Sequence, residues 1–264
     1  MKAAGDGLPA ERDGLPAERD RLPAERDRLP AERDRLPAER DRLPAERDRL
    51  PAERDGARPA VKPVWRGVSH EIAFFVALVA GALLFSGAHG SSARLCAVIY
   101  GASLATQFGV SALYHRPHWE PRARAFLRRL DHSAIFVLIA GTFTPFCVSL
   151  GADGTLGLEL VWGGAALGIA QSLFWVRAPK PLVAVLAIAL SWAMTPILWR
   201  AASGGAFALL MAGGVLYSAG GLIYSLKRPD PSPAVFGYHE VFHAFVIAAS
   251  ICHFAAVAPV IRAL

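Results

Sequence analysis

Past residue 70, apolar residues come in long runs, each able to cross roughly 30 Å of hydrocarbon as a helix, with short polar breaks between them. The pattern predicts helices over residues 71–88, 93–115, 131–151, 155–176, 181–199, 205–226 and 239–261. Glycine, proline and charge mark the breaks: Gly90-Ser91-Ser92, Arg116-Pro117, Gly151-Ala152-Asp153-Gly154, Pro179-Lys180-Pro181, Gly204-Gly205 and Arg228-Pro229-Asp230-Pro231. Pro145 and Pro196 fall inside runs and are expected to kink them, which a bundle tolerates where neighbouring helices satisfy the freed carbonyls. The fold class that follows is all-α, a seven-transmembrane-helix bundle over residues 71–264 with residues 57–70 as its lead-in.

The first 56 residues obey a different rule. From Leu8 to Gly56 stand seven near-identical copies of Leu-Pro-Ala-Glu-Arg-Asp-Arg, with leucine at 8, 15, 22, 29, 36, 43 and 50. A leucine every seven residues resembles a coiled-coil seam, but a proline follows each one, and a single interior proline costs a helix about 3 kcal/mol. One apolar anchor per copy is also too little to offset chain entropy, so the segment is expected to be disordered. Its near-perfect identity reads as an expanded in-frame DNA repeat or a start codon set too early, with a cytoplasmic interaction tail as the alternative.

Charge divides the chain at the same place. Residues 1–56 hold 13 Lys/Arg against 15 Asp/Glu, and residues 57–264 hold 15 against 7. A pI near 9.6 suggests a nucleic-acid binder, but the excess cations sit in short loops between apolar runs, where they act as topology determinants. Before the first span stand Arg58, Lys62 and Arg66, after it Arg94 alone, and before the third Arg116, Arg122, Arg124, Arg128 and Arg129. The next loops carry none, then Arg177 and Lys180, then Arg200, then Lys227 and Arg228, and the tail has Arg262. The positive-inside rule then places the N-terminus in the cytoplasm and the C-terminus outside. No cleavable signal peptide precedes the first span, which is expected to be its own insertion signal. Cys96, Cys147 and Cys252 lie in apolar runs without metal-ligand spacing and read as small buried hydrophobes.

With that orientation the ionisable residues at span ends gather on one side. Glu71, His115, Asp131, His132, His239, Glu240 and His243 all fall at the cytoplasmic face, and only His89, Glu159 and His253 lie in or near the outer half. His239 and His243 are one helical turn apart, so both imidazoles leave the same face of the last span. His115 closes the second span, Ser111 lies one turn deeper on that face, and Asp131 opens the third span from the same side. Three neutral imidazoles and a water make an open tetrahedral zinc site of the kind that lowers the pKa of water towards about 7. The absence of thiolates and of a carboxylate cage argues against copper(I), iron–sulfur and calcium. Each residue also has a plain structural reading: an interfacial histidine pair, a serine bonded back to its own helix, and an aspartate that caps the third span beside Arg128 and Arg129.

Three blocks carry a family resemblance: Ser111-Ala-Leu-Tyr114-His115, Leu130-Asp131-His132 leading to Gly141-Thr142-Phe143-Thr144-Pro145-Phe146, and Phe236-Gly237-Tyr238-His239-Glu240-Val241-Phe242-His243. Together with Ser69-His70-Glu71 before the first span they resemble hemolysin III-like proteins of the progestin and adipoQ receptor superfamily, over residues 65–264 and in the same order. The resemblance implies that His115, His239 and His243 ligate zinc, that Asp131 holds or deprotonates the water on it, and that Ser111 supports the site. It also implies a multi-pass protein of a bacterial-type inner membrane. The wider superfamily includes alkaline ceramidases and adiponectin receptors, which points to a lipid substrate or ligand.

Two function classes stay open at this level. One is a zinc-dependent hydrolase of membrane lipid amides or esters, and the other a sensor or pore-forming cytolysin whose zinc only ties spans two and seven together. A third reading comes from His239-Glu240-Val241-Phe242-His243, which satisfies the His-Glu-x-x-His signature of zinc proteases, with Glu240 as base. Of the tryptophans, Trp65, Trp119, Trp162, Trp175 and Trp199 fit an interfacial belt and Trp192 fits packing. His253 is ten residues past His243, about 15 Å along the helix and out of reach of the same ion.

The charge alternation generates a direct test. Reporter fusions at Gly154 and after Leu264 are both expected to read as external; cytoplasmic activity at either point would reverse the bundle.

Overall fold

The computed structural model describes residues 62–175 and 182–264. The leucine-proline repeat, Arg58, Arg177 and the Pro179-Lys180-Pro181 break lie outside the described residues. The helices are α1 (Val68–Ser86), α2 (Ser91–His115), α3 (Pro121–Ser149), α4 (Thr155–Phe174), α5 (Leu182–Ala193), α6 (Thr195–Ala201), α7 (Gly204–Leu226) and α8 (Tyr238–Ala263), with a 3-10 turn at Gly151–Gly154 between α3 and α4. α5 and α6 together make one crossing, so among the described residues seven stretches are long and apolar enough to span a bilayer.

The third helix departs most from the sequence reading. It begins at Pro121, ten residues before Asp131, and takes in the arginine-rich segment that hydropathy assigns to a loop. Glu120 stands at the N-cap with Pro121 at the first helical position, where its fixed φ favours the start and its missing N–H is not needed. From there to Leu130 the chain is Arg, Ala, Leu and one Phe, mostly strong helix formers with no breaker. At 1.5 Å per residue its 29 residues extend about 43 Å, well beyond a 30 Å hydrocarbon core. Asp131 is therefore an interior residue of α3, about three turns in, and does not cap it.

The two prolines behave differently. α3 continues through Pro145, whereas the fifth span is interrupted at Met194, with Pro196 in the first turn of α6. Thr195 helps to close that break by donating its hydroxyl to the Trp192 carbonyl at 2.7 Å. Pro259, inside α8, is a third interior proline.

Neighbours in sequence are mostly neighbours in space. The helices pack in the order α1, α2, α3, α4, α5, α7 and α8, and α8 closes the ring against α1, α2 and α3. α2 and α3 are the most buried helices, and the first turn of α1, the last of α2 and the first of α8 meet at one end of the bundle. Hydrocarbon supplies little drive for one apolar helix to leave lipid for another, so close backbone approach and shape matter more than in water. Gly81 and Gly101 supply such an approach between α1 and α2: a Cβ on Gly101 would stand 3.1 Å from the Gly81 Cα, and one on Gly81 would stand 3.3 Å from the Gly101 Cα.

That contact predicts a stability difference. Gly101→Val is expected to force α1 and α2 apart and to lower the thermal midpoint of detergent-purified protein, by the equivalent of about 1–3 kcal/mol typical of overpacking. Gly163→Val, where nothing lies within 4 Å of a new Cβ, is the control. Equal midpoints for the two variants would show that the approach carries no stability.

Candidate metal centre

His115 is the last residue of α2, and His239 and His243 lie in the first two turns of α8. Packing of α8 against α2 brings the three imidazoles together, with one potential ligand nitrogen from each lying within 4.8 Å of the others. His115 Nε2 and His239 Nε2 are 3.1 Å apart. The ring centroids of His115 stand 4.6 Å from His239 and 5.1 Å from His243. All three side chains are 9% exposed or less, so the protein has already removed most of the water around them.

This donor set fits a metal ion. Nitrogens about 2.0–2.1 Å from a tetrahedral zinc lie about 3.3 Å from one another, close to the separation of the two Nε2 atoms. His243 is 1% exposed and its Nδ1 has no hydrogen-bond partner among the described residues. A buried imidazole with unmet polar demand is costly unless something answers it.

Ser111 and Asp131 come to the same end of the bundle. Ser111, one turn before His115 on α2, is 2% exposed, and its Oγ lies 2.8 Å from His70 Nδ1. The half-buried Asp131 carboxyl of α3 lies near the same hydroxyl. The reading of Ser111 as bonded only to its own helix therefore fails, because its hydrogen-bond partner His70 lies on α1. His253 is apart, on the far side of Ser250, with its Nε2 3.2 Å from the Leu210 carbonyl of α7. His132 follows Asp131 on α3 and is not among the converging imidazoles.

Glu240 is engaged elsewhere. One carboxylate oxygen accepts from the Gly237 N–H at 2.9 Å and so caps α8, while the other is 2.6 Å from Arg66 Nε. A carboxylate that closes a helix end and is held in an ion pair with a partly buried guanidinium is stabilised in its charged form and fixed away from a water's proton. These contacts do not favour Glu240 as the base of the zinc-protease reading, although the His-Glu-x-x-His spacing is intact.

The lead-in to α1 folds across this end. Val64 and Trp65 donate their N–H groups to the Ala234 and Val235 carbonyls, both at 3.1 Å. Gly67 has φ of +79°, a conformation that L side chains rarely adopt, and a Cβ there would stand 2.7 Å from the His115 Cβ. Lys62 reaches the Arg116 carbonyl at 2.6 Å and the Pro117 carbonyl at 3.2 Å, satisfying the open end of α2. Partial burial, and then the charges of Arg116, Arg124 and Arg66, lower the pKa of its ammonium. Glu71 joins the same edge through a 2.7 Å ion pair with Arg116.

Two contributors escape a reading by spacing alone. Arg66 counts there only as a topology charge, and His70 only as part of an opening block. The signal for both was their proximity to the first span, but nothing local says that residue 66 meets residue 240 or residue 70 meets residue 111.

Comparison with known proteins gives this arrangement its context. The family model described as haemolysin-III related matches residues 59–254. A hemolysin-3 homolog of Bacillus subtilis (strain 168) is 33% identical over 179 residues, 65% of this chain and 80% of the relative. The hemolysin-3 of Bacillus cereus is 32% identical over 197 residues, 71% of this chain and 86% of the relative. The match spans all the helices from α1 well into α8 and includes every residue that converges at the site, so the chain belongs to the haemolysin-III related family of multi-pass membrane proteins.

Proposed function

We propose that the chain is a zinc-dependent hydrolase of membrane lipid amides or esters, with its site at the cytoplasmic face. The observation that carries the reading is the convergence of three buried imidazoles with a carboxyl and a hydroxyl from α2, α3 and α8. A cavity of about 130 Å³ begins one turn below them, lined by Ile135, Leu138, Ile139, Phe143, Phe242 and Val246 among others. Polar groups at the mouth of an apolar cavity suit a substrate whose reacting carbonyl sits at the site while its hydrocarbon lies beneath. The cytoplasmic orientation is supported by the alternation of Lys and Arg between successive loops.

His115, His239 and His243 would hold the ion. Zinc in such a site acts as a Lewis acid for a carbonyl and makes water acidic enough to attack near neutral pH. Asp131 accepts the proton that the attacking water releases and returns it to the leaving nitrogen or oxygen. Ser111 keeps the carboxyl aimed, since its hydroxyl is within reach of Asp131 and is itself held from α1. Closure of the lead-in over His115 excludes bulk water on that side, which strengthens every electrostatic contact inside.

The word hemolysin in the names of the relatives favours a second reading, a lytic protein whose metal ties α2 to α8. Two measurements separate the readings. The first is metal content of purified protein: His115→Ala, His239→Ala and His243→Ala are each expected to lower zinc sharply, because each removes one of three protein ligands, while His132→Ala and His253→Ala keep it near the wild-type value. Full zinc in His115→Ala would sink the ligand set.

The second pairs zinc content with hydrolysis of labelled inner-leaflet lipids by Asp131→Asn. Asn preserves size and hydrogen bonding but cannot take the proton, so zinc is expected to stay and the rate to fall by about 10²–10⁴. Retention of both zinc and full activity would remove Asp131 from the mechanism. Retention of lysis with no lipid hydrolysis in the wild type would favour the second reading.

A further inference from the structure

His70 meets two of the five residues already assigned, Ser111 by a hydrogen bond and His243 by ring stacking. It is the third residue of α1, 1% exposed, and therefore as buried as His243. Its Nδ1 is 2.8 Å from Ser111 Oγ. Its ring lies flat on that of His243, with centroids 3.7 Å apart and planes 9° from parallel. Phe108 closes the remaining side edge-on at 5.1 Å. The second ring nitrogen, Nε2, is buried without a hydrogen-bond partner.

Packing alone does not account for an imidazole here. A phenylalanine would fill the same slot between Phe108 and His243 and would bury no unpaired nitrogen. What histidine adds is the bond to Ser111. That hydroxyl has a single proton and two polar neighbours, Asp131 and His70, so the partner on α1 determines where the serine oxygen and its proton point. The face-to-face stack adds a second constraint, because rotation of the His243 ring about its own side-chain bonds would drive it into His70. One side chain on α1 thus restrains a ligand on α8 and, through Ser111 on α2, the carboxyl on α3.

We propose that His70 is a positioning residue of the metal centre: its Nδ1 orients Ser111 towards Asp131, and its ring braces His243 from behind. The proposal rests on the metal-centre reading above, and groups that orient metal ligands and their neighbours typically contribute 10–100-fold to affinity. It does not require that His70 touch the ion or the substrate.

Two substitutions separate its two contacts. His70→Phe keeps an aromatic ring on His243 and deletes Nδ1, whereas His70→Asn keeps a polar group near the Nδ1 position and deletes the stack. Both are combined with Ser111→Ala in the full chain purified in detergent. Zinc affinity is measured by competition with a chelator, and ligand geometry by the visible absorption of the cobalt(II)-substituted protein. Each single substitution at residue 70 is expected to weaken zinc about 10–100-fold and to shift the cobalt spectrum. Ser111→Ala is expected to cause no further loss in the His70→Phe chain, because the bond is already gone, and its full wild-type loss in the His70→Asn chain.

Equal loss from Ser111→Ala in the wild-type and His70→Phe backgrounds would overturn the proposed action through Ser111. Wild-type zinc affinity and an unchanged cobalt spectrum in His70→Asn would overturn the brace. If His70→Phe does not accumulate in the membrane, His70→Leu takes its place in the cycle, since it too lacks a polar atom. Failure of the wild-type chain to bind zinc at all would remove the metal centre itself, and is distinguishable from either result because no substitution is involved.

Discussion

Inside a bilayer a polar side chain has no water to turn to, and neither does the backbone, so each crossing must be a helix and each inward polar group must be answered by another helix. In this chain that requirement concentrates at one end of the bundle. His70, Ser111, Asp131, His115, His239 and His243 come from four helices, and each reaches at least one of the others. The helices are held at that end by the mutual needs of their polar groups, while elsewhere they are held by small residues and apolar fit, as at Gly81 and Gly101.

The border of the site follows from the same logic at helix ends. The last carbonyls of α2 and the first N–H groups of α8 need partners, and they lie next to the imidazoles. Just past α2, Lys62 answers the Arg116 and Pro117 carbonyls; at the start of α8, Asp230 accepts from the Tyr238 N–H and Glu240 from the Gly237 N–H before it, and Arg66 pairs with the buried Glu240 carboxylate. The lead-in that supplies Lys62 and Arg66 is pinned to the loop before α8 by two backbone hydrogen bonds and passes His115 at Gly67, where a side chain would not fit. Closing the helix ends and covering the histidines are thus accomplished by one short segment. Glu240 is thus committed to this framework, whereas the half-buried Asp131 lies on the other side of Ser111, near its hydroxyl.

Membership in the haemolysin-III related family places the arrangement in a multi-pass membrane protein, with a mainly apolar cavity one turn below the imidazoles. Gln107, one turn below Ser111, and Tyr217 and His253 further down give that cavity a few polar points on an otherwise apolar wall. Trp192 also lines it and donates its indole N–H to Ser218 at 3.1 Å, with 39% of the residue exposed.

The sequence by itself determined the number of crossings, because hydrophobic length is a local property and hydrocarbon thickness is nearly constant. It also determined that His239 and His243 share a face, since i and i+4 positions of a helix do so whatever surrounds them, and that Ser111 and His115 share another. It misplaced the start of α3, because ten residues rich in arginine are invisible to a hydropathy window yet form a good helix once Pro121 starts it. Only the tertiary structure decided which faces meet. Residues 66 and 240, 67 and 115, and 70 and 111 are brought together by the closing of α8 and the lead-in over α2. Glu240 shows the difference most clearly: its spacing fits a catalytic base, but packing gives it a helix N-terminus on one oxygen and the Arg66 guanidinium 2.6 Å from the other, and these neighbours make it a cap and an ion-pair partner.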